Sequence, residues 1–259
     1  MNQNPCDAVF STIGWDGDKK ILLPDLHFNR IKEHCYRLSI NYPEDIEQKF
    51  FEAFNLEPKL TSSTDKFHSS QPPFLLKINL SSSGVVSVKG RKNTPHNGTL
   101  IATVNDAPRW NKNINGTKHA AWNTYNQITE SAQKKGFDIA LLTYEGTIID
   151  GDRCTPILLD HDGTAWVSDK RMGGVDSITL DYLIEILQEQ GIPVIKGRLT
   201  ANMILRSQEL LALGTGIGVA QIVEVDGVNI GKRGNSLYKI CSKYLTELQT
   251  DKWTELKGD

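Results

Sequence analysis

The chain has 259 residues, 39% of them hydrophobic and 23% charged, with a net charge of −2. That length can bury the core of one large or two small domains, and the composition is that of an ordinary globular protein. It excludes the basic field that nucleic acid or an anionic membrane would need as main partner, and no stretch approaches the ~20 apolar residues of a membrane span.

Cys6, Cys35, Cys154 and Cys241 are scattered without paired spacing. They read as reduced thiols of a cytoplasmic protein, forming neither a disulfide framework nor a zinc site. The opening Met1 to Asp7 lacks a basic region and an apolar core, so no signal peptide is expected.

In chain order, Ala8 to Gly14 and Lys20 to Leu23 predict a strand hairpin across Trp15-Asp-Gly-Asp. Leu26 to Ile40 predicts a helix with Ile31, Cys35 and Leu38 on one face, and Pro43 to Phe54 a second helix opened by proline and acids. Leu60 to Gln71 is a polar loop; Pro73 to Leu80, Val85 to Lys89 and Leu100 to Val104 are strands. Asn105 to Gly116 is a linker, and Lys118 is expected at the entrance to a helix. Strands follow at Phe137 to Tyr144, Ile157 to Asp160 and Ala165 to Ser168, then an amphipathic helix, Ile178 to Gln190, capped by Asp176 or Ser177. Pro193 to Ile195 is a strand, Ala201 to Leu213 a helix capped by Thr200, Val219 to Val225 a strand, and Gly234 to Leu248 the last helix.

Four places in this order carry chemistry. The Lys118 amine can form a Schiff base with a carbonyl, and Asp150 follows a short apolar run that ends at Gly151. A pyridoxal phosphate enzyme needs such a lysine together with an acid facing the pyridine nitrogen. Arg30, in His27-Phe-Asn-Arg30-Ile, carries a planar fork that stays charged and can donate two parallel hydrogen bonds. Gly174-Val175-Asp176 at a helix start presents free backbone amides, and Gly214-Thr215 a hydroxyl in a glycine turn; both suit an anion. Arg109 is a candidate for a substrate carboxylate. His27, His119 and His161 read as structural or exposed, Glu145 and Asp152 as turn and strand-edge charge, and no metal-like cluster is present.

Leu141-Leu142, Gly146, Ile148, Asp150, Gly151 and Arg153, with Lys118 upstream, resemble the class IV (fold type IV) pyridoxal-phosphate aminotransferases. That family includes branched-chain and D-amino-acid aminotransferases, (R)-selective amine transaminases and aminodeoxychorismate lyase. His27 to Ile31 resembles the family's H-x-x-R-L and Gly214-Thr215 its phosphate turn. The chain departs from the pattern in three places. Asp150 stands for a glutamate, Asp176-Ser177 for Thr-Arg, and Ser11, in Phe10-Ser11-Thr12, for an acid.

The resemblance implies a two-domain α/β (α+β) fold with pyridoxal 5'-phosphate between the domains. The expected division is a small N-terminal α+β domain over 1–104, a linker over 105–117 and a larger mixed α/β domain over 118–259 carrying the Schiff-base lysine. Lys118 would anchor the cofactor and move the proton, and Asp150 would face the ring nitrogen. Arg30, Val175, Asp176, Gly214 and Thr215 would hold the phosphate. The implied activity is transamination between an amino acid and a 2-oxo acid by a cytoplasmic homodimer. Elimination of pyruvate by an aminodeoxychorismate lyase is the alternative within that chemistry, and a non-catalytic ligand- or partner-binding relative is the alternative outside it.

Overall fold

A computed structural model describes residues 3–56, 74–93, 96, 98–231 and 234–256. The predicted loop from Leu60 to Gln71 lies outside them. The chain divides into two compact units, Met1–Thr94 with Thr117–Trp122 and Glu247–Asp259, and Pro95–Gly116 with Asn123–Thr246. The sequence expectation ran each domain as one continuous stretch. Here the Lys118 segment belongs to the first unit, because Phe10 N–H donates to the Lys118 carbonyl at 2.9 Å and Val9 bridges His119.

In the first unit, β1 (Ala8–Trp15), β2 (Lys20–Leu22), β3 (Phe74–Ser81), β4 (Val86–Arg91) and the C-terminal strand Trp253–Glu255 form one antiparallel sheet. β1 lies at its centre and is buried over nearly its whole length. The C-terminal strand extends the sheet past β2, an edge the polar, short sequence Trp-Thr-Glu did not announce. Helix α1 (Pro24–Leu38) starts with proline at its first turn and ends at Ser39, whose left-handed backbone (φ 55°) lets its N–H close the last turn. Helix α2 (Ile46–Leu56) buries Ile46, Phe50 and Phe54. Edge-to-face contacts join Trp15 to Phe54 (6.0 Å) and Phe28 to Phe50 (5.7 Å), a core in which each aromatic ring removes about 150–250 Å² from water.

In the second unit a ten-stranded mixed sheet carries the helices. Its strands are β5 (Thr99–Asp106), β6 (Ile139–Tyr144), β7 (Thr147–Gly151), β8 (Thr155–Leu159), β9 (Ala165–Ser168), β10 (Val194–Gly197), β11 (Leu199–Thr200), β12 (Glu209–Gly214), β13 (Gly218–Val225) and β14 (Val228–Asn229). The helices are α3 (Asn123–Lys134), α4 (Ile178–Glu189), α5 (Ala201–Leu205) and α6 (Ser236–Asp251). β5 runs parallel to both β6 and β13, so it belongs here and not to the N-terminal sheet.

The predicted helix from Ala201 to Leu213 is corrected. Thr200 does cap a helix, but α5 stops at Leu205 and Leu210 to Leu213 form the middle of β12, hydrogen-bonded between β8 and β13. A four-residue apolar run buried on both faces carries no periodicity, and leucine's helix preference gives way to the sheet. At the head of that strand Glu209, buried, accepts from Ser236 Oγ and from the Leu237 and Tyr238 N–H groups at 2.9 Å each. Its carboxylate thereby caps α6, where orphan amides and the helix dipole favour a negative charge.

Candidate active site

The first cluster lies in the first unit around Lys118. Helix α1 turns two stripes inward: Phe28, Ile31, Cys35 and Leu38, and beside them the polar His27, Arg30 and His34, all buried. Arg30 Nη2 donates to Ser11 Oγ at 2.6 Å, and Ser11 Oγ lies 2.7 Å from His27 Nδ1. Guanidinium can only donate, so the serine oxygen accepts from it, and the tautomer of His27 sets the direction of the Ser11–His27 bond. Burial, with the charges of Arg30 and Lys118, holds the His27 pKa well below the ordinary range, so its ring is neutral at neutral pH.

Lys118 itself is not helical. It sits half-buried in an extended stretch ahead of α3, with its N–H on His34 Nδ1 at 3.1 Å and its carbonyl on Phe10 N. Its Nζ lies 4.6 Å from the Trp122 ring centre and 5.3 Å from that of Phe10, faces that attract a cation. Burial, reinforced by Arg30, Arg37 and Lys118, pushes His34 down to about 2; burial brings His119 to about 4. At neutral pH the cluster thus sets three neutral histidines beside Arg30 and Lys118.

The second cluster lies in the second unit around Asp150. A bulge between Leu142 and Thr143 in the β6–β7 pairing leaves Ile149 without a partner residue and turns the strand beside Asp150. The buried Asp150 carboxylate accepts from Gly151 N–H (3.0 Å) and Thr155 Oγ1 (3.3 Å) on one oxygen and from Val175 N–H (2.8 Å) on the other. A Cβ on Gly174 would lie 2.2 Å from the Ile149 carbonyl oxygen, so the segment before Val175 runs directly against β7. Tyr125 is buried nearby; burial raises its pKa, Asp150 adds to the rise and Arg109 opposes it.

Several sequence expectations change here. The Val175 N–H, expected to face a phosphate, is committed to Asp150. Asp176 does not cap α4: Ser177 does, its Oγ accepting from Leu180 N–H, while Asp176 pairs with Lys170 Nζ at 2.9 Å. Of the two readings given for His27 and His119, structural or exposed, the first holds: both are buried members of the Lys118 cluster. Asp152 is buried as well, and burial raises its pKa; Glu145 does stand exposed at the β6–β7 turn. Arg109 is fixed by the Met172 carbonyl at 2.9 Å and lies over the Tyr144 ring at 3.8 Å. Gly214 and Thr215 open the β12–β13 turn, which closes on the left-handed Gly218 (φ 76°). His34, Tyr125 and Thr155 were not singled out from sequence, and Ser11 was marked only as a departure from the family pattern. For His34 the signal was present, four positions after Arg30 on the same inward stripe.

Residues 8–225 match the family described as amino-transferase class IV, and the chain belongs to that family. Comparison with curated proteins returns no match. Among solved structures, a branched-chain aminotransferase from the archaeon Thermoproteus uzoniensis, with norvaline, is 17% identical at a TM-score of 0.79, covering 97% of this chain and 91% of that one. A putative 4-amino-4-deoxychorismate lyase from Legionella pneumophila is 14% identical at 0.76, covering 93% and 91%. A hypothetical aminotransferase from Mycobacterium tuberculosis in its PLP-bound form is also 14% identical at 0.76, covering 94% and 89%. These likenesses establish the fold of a type IV aminotransferase.

Proposed function

We propose that the protein is a pyridoxal-5'-phosphate-dependent aminotransferase that moves an amino group between an amino acid and a 2-oxo acid. The observation that carries this reading is Lys118: a half-buried amine against two aromatic rings, in one cluster with the buried Arg30, its backbone held at both N–H and C=O. The residues present fit the cofactor by their chemistry, since an amine meets an aldehyde, a guanidinium a phosphate and a carboxylate a ring nitrogen. When bound, pyridoxal phosphate supplies the aldehyde that takes the amino group and the ring that draws electrons from the substrate α-carbon.

The chain's own residues do the rest. Lys118 anchors the aldehyde carbon and then, as the free amine, takes the proton from the substrate α-carbon. Arg30, with the Gly214–Thr215 turn and the Asp176 N–H, holds the phosphate; Lys170 neutralises the Asp176 carboxylate, which would otherwise repel it. Asp150 keeps a proton on the ring nitrogen, and the Val175 N–H aims its carboxylate. The reading extends to a cytoplasmic homodimer acting on small-molecule substrates; four free thiols suit a reducing compartment.

A lyase that eliminates pyruvate from aminodeoxychorismate is the second reading, suggested by the likeness to the putative lyase from Legionella pneumophila. Borohydride added to the purified protein with pyridoxal phosphate should abolish its visible band and leave a phosphopyridoxyl mass on the Lys118 peptide. Lys118→Ala should show neither and lose roughly 10³-fold or more in rate. A wild-type protein that gains no such mass overturns the reading. Amino donors with 2-oxo acids, tried against aminodeoxychorismate, separate transaminase from lyase.

A further inference from the structure

We infer that Arg109 is a positioning residue for Asp150, acting through the Met172–Val175 segment, and is not a receptor for a substrate carboxylate. The inference deepens the proposed function and rests on it in one respect, that Asp150 serves the ring nitrogen.

Aspartate is one methylene shorter than the glutamate of the family pattern, so the direction of its carboxylate has to be set by its surroundings. The donor that sets one oxygen is the Val175 N–H. Val175 lies at the end of a segment with two glycines, one of them left-handed at φ 97°, whose backbone freedom has to be removed by contacts from outside. Three contacts hold that segment. Arg109 Nη1 donates to the Met172 carbonyl at 2.9 Å, immediately before the glycine pair. The space where Gly173 would carry a Cβ is taken by the same nitrogen, 2.6 Å away. Gly174 runs against Ile149 on one side, and its carbonyl lies 2.7 Å from where a Cβ of Gly116 would stand on another. Arg109 is in turn laid flat on Tyr144, at the end of β6, the strand that pairs with β7 beside Asp150. The guanidinium therefore ties Met172 to the strand pair that bears the acid, and the Val175 N–H arrives at Asp150 as the end of that tie. A planar, multiply donating head suits this role, because one face can stack while its edge donates.

The test is native-state amide exchange at Val175 in the purified protein, with and without pyridoxal phosphate, for wild type, Arg109→Ala, Arg109→Lys and Asp150→Asn. Arg109→Ala should speed Val175 exchange ~10-fold or more, while Arg109→Lys, which can still donate to Met172, stays within ~3-fold. In the loaded protein Arg109→Ala should shift the pH midpoint of the cofactor band in the same direction as Asp150→Asn, with KM for the amino donor changed less than ~2-fold. Unchanged Val175 exchange in Arg109→Ala overturns the inference. So does a KM raised ~10-fold with exchange and band unchanged, the signature of a substrate-carboxylate contact. If Arg109→Ala does not fold, Tyr144→Leu, which removes the ring beneath the guanidinium, takes its place under the same criteria. A wild type that takes up no pyridoxal phosphate sinks the proposed function, while Val175 exchange still decides the role of Arg109.

Discussion

Around Lys118 the groups that fix the chemistry are side chains: Ser11, His27, Arg30 and His34 hydrogen-bond one to another or to the lysine backbone, all buried. Around Asp150 they are mostly backbone: the N–H groups of Gly151 and Val175, delivered by glycines packed where no Cβ fits. The first arrangement depends on protonation, since every histidine in it must stay neutral beside Arg30 and Lys118. The second depends on shape. Acid should damage the first before the second, and an added methyl the second before the first.

The largest effect expected is from Gly174→Ala. Its Cβ would sit 2.2 Å from the Ile149 oxygen, which is backbone in a paired strand and cannot swing aside. The segment must shift, with a loss of about 3 kcal/mol by overpacking, and the Val175–Asp150 bond should go with it. Gly163→Ala is the comparison: left-handed (φ 79°), unlike Gly174, but with open space around its Cβ, it should lose only about 1 kcal/mol. Urea unfolding of both variants measures the difference; equal losses would mean that the contact with β7 yields.

The same contrast explains what could be read from sequence. The proposed anchors could be named from sequence, because Lys118, Arg30 and Asp150 fall in patterns of type and spacing. What aims them was legible only in part. The inward stripe His27–Arg30–His34 follows helical spacing, but Ser11 reaches it from β1 across a tertiary contact that no local pattern marks. Val175 was assigned to a phosphate because free amides at a helix start suggest an anion. The nearest anion turned out to be the protein's own Asp150, brought there by a bulge. In the fold, periodic segments such as α1 and α4 were readable to within two residues. Leu210 to Leu213 were not, since an apolar run without period fits helix and buried strand alike, and the short C-terminal strand depends wholly on β2 for its pairing.

Acidification should act chiefly on the Lys118 cluster. His34 is held at about 2 by burial and by Arg30, Arg37 and Lys118, against an ordinary value of 6.5. Between those values the unfolded chain binds more protons than the folded one. Stability is thus complete above pH 6.5 and falls as the pH drops toward 2. From pH 7.5 to 5 the loss from His34 is about 2 kcal/mol, and His27 and His119 add to it in the same direction. His34→Gln, which keeps an acceptor for the Lys118 N–H without a titrating ring, should flatten the dependence by one proton. Urea unfolding at the two pH values reads this directly; an unchanged slope would show that His34 gains its proton without loss of the native state.

The smallest effect within the two clusters should come from Ser11→Ala, and it tests the side-chain logic most narrowly. Ser11 Oγ accepts from Arg30 and shares a hydrogen bond with His27 Nδ1, and it is fully buried. Its removal takes a partner from a charged donor and from a ring nitrogen that has no solvent to turn to, a cost of about 1.5 kcal/mol. Both stranded groups remain in their charge states at neutral pH, so the loss should be the same at pH 7.5 and 8.5, unlike that on acidification. The guanidinium should also lose part of its aim, weakening pyridoxal phosphate retention ~10-fold while Gly163→Ala leaves it unchanged. If Ser11→Ala costs less than ~0.3 kcal/mol and retains the cofactor fully, then Arg30 takes its direction from its other contacts, and the serine hub is incidental to the cluster.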